Sequence, residues 1–388
     1  MRSYTGITGL LIAQGLKKAN IPCVVFEKEP PEGRPRDWNM SLHWSYPMLT
    51  DLLTDDLMEQ FKSTQTDPSY DTPAEGVLPV CNAETGELMM VVPTKRIYRI
   101  SRAKLRKLCS TRVDIRYRTG VSGILMADDG ESVIVQLEDG TRFTGSALVG
   151  TEGAKSVVRK FLLGDERSAA KPIPFQTYIA NSRYSAEDAR LLRSIHPIYT
   201  MGIHPKGFFF WISPQDIADP EDPATWEFML MISQSRNENA PSLPERDFIA
   251  DAKQLGAQSC EPFRTAWTKL HETANIWHIP LSSWEPIQWD NRRGRVTISG
   301  DAAHTMTFHR GQGLNHAIND AWSYVTKMKE YVSGQKSLAI AITEYDDELR
   351  MRGGEEVRAS LENSRMLHSW DECWNSPWFK QGYAKKQE

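Results

Sequence analysis

The first apolar pattern follows a glycine-marked turn, Gly6-Ile-Thr-Gly9, with Leu10 to Ala19 at helical spacing and then the short apolar run Cys23-Val-Val-Phe26. Turn, helix and strand in that order make most of a β-α-β unit, which Pro30, Pro31, Gly33 and Pro35 close. The aromatic segment Trp38 to Tyr46 predicts extended or looped chain, and residues 50–65 predict helix. Residues 77–93 alternate as strands around a turn at Glu84-Thr-Gly86, and Ser101 is placed to cap a helix running to Leu108. From 113 to 150, Asp129-Gly130 and Asp139-Gly140 punctuate an antiparallel meander that ends in a buried strand, Ala147-Leu-Val-Gly150.

Between 172 and 285 the chain becomes rich in Pro, Trp and Phe. Gly207-Phe-Phe-Phe-Trp-Ile212 and Trp226-Glu-Phe-Met-Leu-Met-Ile232 read as strands of a second sheet. Arg295-Val-Thr-Ile-Ser299 then restores the first pattern, followed by a glycine-marked loop to Gly313 and a helical run from Leu314 to Val332. The prediction is an α/β fold. A Rossmann-like three-layer domain is expected from 1–170 and 286–350, an inserted mixed or antiparallel β-sheet domain for substrate over 171–285, and C-terminal helices over 351–388 with a frayed end at Lys385 to Glu388.

Charge excludes one class of partner: 46 Lys+Arg face 50 Asp+Glu, so no basic face for nucleic acid is expected. The cysteines Cys23, Cys81, Cys109, Cys260 and Cys373 lack a C-x-x-C pair and predict neither a disulfide framework nor a metal site. No stretch of about 20 apolar residues occurs, so no integral membrane segment is expected. The first residues lack a secretory pattern, and the expected location is cytoplasmic, as monomer or homodimer. Twelve Trp, 13 Phe and 12 Tyr suit both cores and pockets for flat apolar ligands.

Three motifs carry candidate chemistry. Gly6-x-x-Gly9 before a helix, with Glu27 ending the next strand, matches the latter part of a dinucleotide fingerprint, in which glycines admit a pyrophosphate and the acid takes ribose hydroxyls. Such a pattern also arises from plain turns. Gly300-Asp-Ala-Ala-His304, then Arg310-Gly-Gln-Gly-Leu-Asn315 and Asp320, is more specific: a strand delivers Asp301 to its C-terminal edge, and Gly311 and Gly313 allow close approach before a helix. Glu152-Gly153 with Ser156 and Arg159 follows a strand and suits ribose and phosphate contacts, or a strand-turn-helix with a capping Glu.

In this order the motifs resemble the FAD-dependent aromatic hydroxylases, the single-component flavoprotein monooxygenases of the para-hydroxybenzoate hydroxylase type, with fungal secondary-metabolite oxygenases most similar. The resemblance implies that Gly6 and Gly9 approach the ADP pyrophosphate, Glu27 the ribose, Arg102 the cofactor, and Asp301 the ribityl and phosphate portion. Gly311, Gly313, Leu314 and Asn315 would stand at the flavin, and Glu152 would replace the aspartate of a family motif for FAD and nicotinamide. The implied chemistry is reduction of FAD by NAD(P)H, reaction with O2 to a C4a-hydroperoxide, and hydroxylation or epoxidation of an aromatic or polycyclic small molecule. Phe208, Phe210, Trp211, Trp226 and Phe228 are pocket candidates by composition, although alternate strand residues should face a core.

Two departures from the family stand out. Only Met1-Arg-Ser precede Tyr4, which takes the place of the first fingerprint glycine, so weakened FAD binding is one expectation. Phe308 stands where relatives carry proline before the flavin-facing glycines, and His309 beside Arg310 is a candidate acid-base group or an ordinary, partly exposed histidine. A flavin-free reading therefore competes: a cyclase, isomerase or hydrolytic enzyme using His43, His309, Asp301 or Arg310 for proton transfer, or a silent binding protein.

Overall fold

The computed structural model describes residues 6–33, 36–236, 244 and 247–382; Tyr4 and the expected frayed tail lie outside them. The helix Ile7–Lys18 is buried around most of its circumference. A Cβ at Gly15 would lie 2.6 Å from Leu52 and 2.8 Å from Val325, so glycine is what lets the helix Gly313–Val332 pack so closely against it. Lys17 and Lys18 close its last turn, where cations favour the helix dipole, and Lys18 Nζ donates to the Leu53 carbonyl at 2.6 Å.

Two parallel ladders lie near this pair of helices. Val25–Glu27 pairs with Ile115–Tyr117, and Leu148–Gly150 with Val296–Ile298. The meander forms as expected from Val121–Met126, Val133–Leu137 and Arg142–Gly145, with Gly130 and Gly140 at positive φ in its turns. The Ser101 hydroxyl caps the helix Arg102–Cys109 by accepting from the Lys104 N–H.

The second sheet is larger than the inserted segment. Its seven strands run, in spatial order, Asn275–His278, Phe175–Arg183, Glu227–Ser235, Phe208–Asp216, Thr200–His204, Glu75–Asn82 and Leu88–Lys95. The hairpin at 75–95, which the sequence groups with the first domain, is thus hydrogen-bonded into the substrate sheet through a parallel pairing of Met201 with Val80. One face of this sheet is covered by the helices Phe248–Gly256 and Phe263–Thr268, and the other packs toward the C-terminal segment and the loop that contains Phe308. A single helix, Leu338–Leu367, crosses the boundary expected at residue 351, joining the C-terminal segment to the first domain without a break.

Candidate cofactor site

The strands Leu148–Gly150 and Val296–Ile298 end beside the starts of the helices Ile7–Lys18 and Gly313–Val332, at the C-terminal sheet edge where open α/β folds take ligands. Gly300 turns the chain there with φ 62°, and a Cβ on it would sit 2.5 Å from the Thr8 hydroxyl oxygen. Gly311 also needs its positive φ. Gly6 and Gly313 differ: neither has a positive φ, a Cβ on Gly6 would meet only the Thr151 carbonyl at 3.8 Å, and one on Gly313 would meet nothing within 4 Å. The fold itself does not require glycine at either position. Both helices also lack a side-chain cap, so their first-turn N–H groups face this room without a side-chain acceptor at the cap. Gly9 lies one turn in and is half-buried.

Asp301 is exposed at this edge; its carbonyl accepts from the Thr305 hydroxyl at 2.7 Å, while its carboxylate makes no hydrogen bond or ion pair among the described residues. The protein around it pushes its carboxyl above the usual range, while His304, Arg102 and Arg159 pull it back. Arg102 begins its helix with the guanidinium 4.7 Å over the Trp38 ring. The residues fit an anionic dinucleotide: room at two glycines, two uncapped helix starts, a cation, and a carboxylate with no other work among the described residues.

Behind this edge stands a network that the sequence did not reveal. Asp320, fully buried, accepts from the Gly300 N–H at 2.7 Å, from His304 Nε2 at 2.7 Å and from Arg352 Nη2 at 2.6 Å. Burial alone would raise the Asp320 carboxyl, but the His304 and Arg352 charges carry it well below its usual range. His304 is raised against its own burial by Asp320. A Cβ at Gly353 would lie 2.9 Å from the His304 ring, which explains a glycine in the middle of a long helix. The Gly353-Gly354 pair was the signal available in the sequence.

Several expected roles change. Glu152 is buried and accepts the Val158 N–H at 2.8 Å, so it caps the following helix, and Arg159 donates to the carbonyls of Ser168 at 2.9 Å and Ala302 at 3.0 Å. Neither is free for phosphate. Asn315 is a brace: its Oδ1 accepts from the His43 N–H at 3.0 Å and the Ser45 hydroxyl at 2.8 Å, and its Nδ2 donates to the Ser41 carbonyl at 3.0 Å. Leu314 is buried beside it in the main core. Burial holds His43 neutral, with a pKa of about 3. His309 is not exposed: burial and then neighbouring His368 push it well below the usual value, and both its nitrogens are engaged by Ser233 and Ser364. Arg310 is buried and paired with Glu356 at 2.7 Å. These three are therefore framework rather than acid-base groups.

Strand alternation divides the pocket candidates. Phe208, Phe210, Phe228 and Trp226 belong to the core under the covering helices, and Trp226 also lies beneath Arg193 at 5.0 Å. Trp211 alone faces the other way, stacked on Tyr199 with ring centroids 4.0 Å apart.

The fold and this edge agree with known proteins. A family described as an FAD binding domain matches residues 53–360. The FAD-dependent monooxygenase cctM of Talaromyces islandicus is 38% identical over 383 residues, spanning 98% of this chain and 95% of the relative. The chain belongs to the FAD-dependent monooxygenases. Another member, phnB of Penicillium herquei, is 35% identical and covers 97% of this chain and 93% of its own length. Among solved structures, Klebsiella pneumoniae HpxO complexed with FAD and uric acid shares 19% identity with a TM-score of 0.77, covering 97% of this chain and 90% of HpxO. CtdE in complex with FAD and a substrate has a TM-score of 0.78 at 15% identity, covering 99% and 92%. The α/β fold and FAD as the cofactor of this flavin-dependent oxidoreductase follow from the family and agree with the site. No helix among the described residues is long and apolar enough to cross a membrane.

Proposed function

We propose that the protein uses NAD(P)H and O2 to insert one oxygen atom into a small aromatic or polycyclic molecule of secondary metabolism, held against the inner face of the large sheet. The observation that carries this reading is an Asp301 carboxylate unengaged among the described residues beside open glycines; an apolar row crosses the second sheet on the face turned toward the Phe308 loop. In that row Trp277, Ile179, Met231, Trp211 and Met201 lie side by side across five strands.

The helix starts would hold FAD, which would supply the redox chemistry with nicotinamide as reductant and O2 as oxidant. The chain's own contribution is placement and dryness. Asp301 and the uncapped N–H groups of residues 313 onward orient the cofactor, and the indole and thioether row accepts a planar ring. Trp211 Nε1–H is buried without a partner among the described residues, leaving a donor for a substrate oxygen. Asn39, bonded to Ser213 at 2.8 Å, and His309, bonded to Ser233, bind the two edges of the row to the cofactor domain and limit water entry.

The test is absorbance between about 350 and 500 nm after FAD loading, followed by NAD(P)H oxidation against a panel of phenolic polycycles under 18O2. Label in the product supports the reading. Conversion that persists without O2 and nicotinamide overturns it.

A further inference from the structure

The end of the site nearest Glu27 holds a second cation that neither the fingerprint nor the cofactor motif assigns. Glu27 ends its strand with a side-chain exposure of 1%. Its Oε1 accepts the Glu29 N–H at 2.9 Å and its Oε2 faces Arg106 Nη2 at 3.4 Å. Burial raises this carboxyl, with the Glu29 N–H and Arg106 opposing the rise and Glu29 adding to it. Ribose hydroxyls are neutral donors and bring no counter-charge. A buried carboxylate that must accept from them is held ionised by donors to its oxygens and by a cation built in beside it.

Arg106 is that cation. It is buried on the helix Arg102–Cys109, one turn after Arg102. Its Nη1 donates to the Pro31 carbonyl at 3.4 Å, and Gly33, at φ 78°, brings the 30–33 turn so near that a Cβ would sit 3.3 Å from that nitrogen. Its Nε is buried with no partner among the described residues. Two long bonds and an orphaned donor mark a guanidinium only partly satisfied by the chain.

We propose that Arg106 is a positioning residue for the dinucleotide: it keeps the Glu27 carboxylate ionised and oriented toward the adenosine ribose. This rests on Glu27 as the ribose acceptor. Each Glu27 oxygen retains a lone pair beyond its present bond, enough for the two ribose hydroxyls while Arg106 stays in place. The charged groups facing Glu27 are Arg106 and Glu29.

The experiment titrates the apo-protein with FAD by fluorescence in wild type, Arg106→Met, Arg106→Lys, Glu27→Gln and the two double variants. Arg106→Met weakens FAD by about tenfold or more, Arg106→Lys by a few-fold, and either change costs under about twofold once Glu27→Gln has removed the charge. Wild-type affinity is flat from pH 6 to 8, whereas Arg106→Met binds more tightly as pH rises and Glu27 ionises. Equal losses with and without Glu27→Gln, or a flat pH profile in Arg106→Met, overturn the proposal. Should Arg106→Met not fold, Arg106→Lys with and without Glu27→Gln decides alone. Unchanged affinity in Glu27→Gln by itself refutes the ribose reading instead, and a wild type that binds no FAD refutes the cofactor assignment.

Discussion

The wall from Gly300 to Asp320 and the large sheet hold their shapes by opposite means. The wall is organised by charge: fully buried Asp320 gathers a backbone N–H, an imidazole and a guanidinium. The sheet is organised by volume, with Phe210 and Trp211 on neighbouring positions facing different cores. A buried charged cluster fails when one member is removed, because the others keep their desolvation penalty. An apolar core fails in proportion to the hole left behind.

The sharpest way to break the wall is Asp320→Ala, which strips the buried His304 and Arg352 of their shared partner, so that burial drives His304 neutral and Arg352 keeps Glu348 as its ion-pair partner; the expected loss is about 3–5 kcal/mol, read by urea unfolding. Asp320→Asn, which keeps the volume and an acceptor for Gly300, loses less. The pair also sets a pH window. Asp320, lowered in the fold, contributes stability that is present above its unfolded pKa of about 4 and is lost as pH falls. His304, raised in the fold, contributes stability present below about pH 6.5 and lost as pH climbs through its folded value. Asp320→Asn should remove both edges of that window.

On the sheet, Phe210→Ala should cost about 3–5 kcal/mol by cavity formation under the covering helices, with FAD affinity unchanged. Trp211→Ala opens the other face, and its largest effect should be on aromatic ligand binding. Equal ligand effects from both substitutions would refute the division into two faces. Asp301→Ala should do the reverse of Asp320→Ala. FAD affinity should fall by about a hundredfold, since a group held for ribityl and phosphate contacts is gone, while the melting temperature of the apo-protein changes little because the exposed Asp301 carboxylate makes no hydrogen bond or ion pair among the described residues. A destabilised apo-protein would mean that Asp301 is structural.

These contrasts explain what could be read from the chain beforehand. Gly300-Asp301 and Gly311 to Asn315 were legible because a tight turn and a helix start depend on consecutive residues, and the Asp-Gly turns of the meander were legible for the same reason. Asn315 was found, but the work of its side chain was not, since that braces Ser41, His43 and Ser45, some 270 positions earlier. His304, Arg352 and Gly353 meet only in the folded chain. Strand patterns at Phe208 and Trp226 were evident, yet which face looked toward the cofactor depends on the helices that cover the other one, and those lie up to 60 residues away in sequence. His309 was expected partly exposed because its flanking Phe308 and Arg310 gave no periodicity to bury it.

That histidine gives the smallest and most specific effect, at the joint between the two regions. Ser233 Oγ lies 3.0 Å from His309 Nε2 and 2.8 Å from His368 Nε2, so one sheet hydroxyl ties the cofactor loop to the end of the long helix. His368 Nδ1 donates to the Ser364 carbonyl at 2.6 Å, which leaves its Nε2 to accept from Ser233 and makes His309 Nε2 the donor to Ser233. Both rings are neutral, His368 at about 4 and His309 well below its usual value, each through burial first. Ser233→Ala should therefore cost about 1–2 kcal/mol at pH 8 by stranding a donor and an acceptor. His309→Gln, which preserves a donor near the ε position, should cost less at pH 8 and change the acid limb instead. As pH drops below about 6.5 the unfolded chain takes up protons that the buried rings refuse, so stability falls with pH, and removing His309 should lower that slope by about one proton. Urea unfolding between pH 8 and pH 4 measures it directly; an unchanged slope would mean that His309 titrates in the folded protein as it does in the unfolded chain, and the joint would then be a surface contact rather than a buried one.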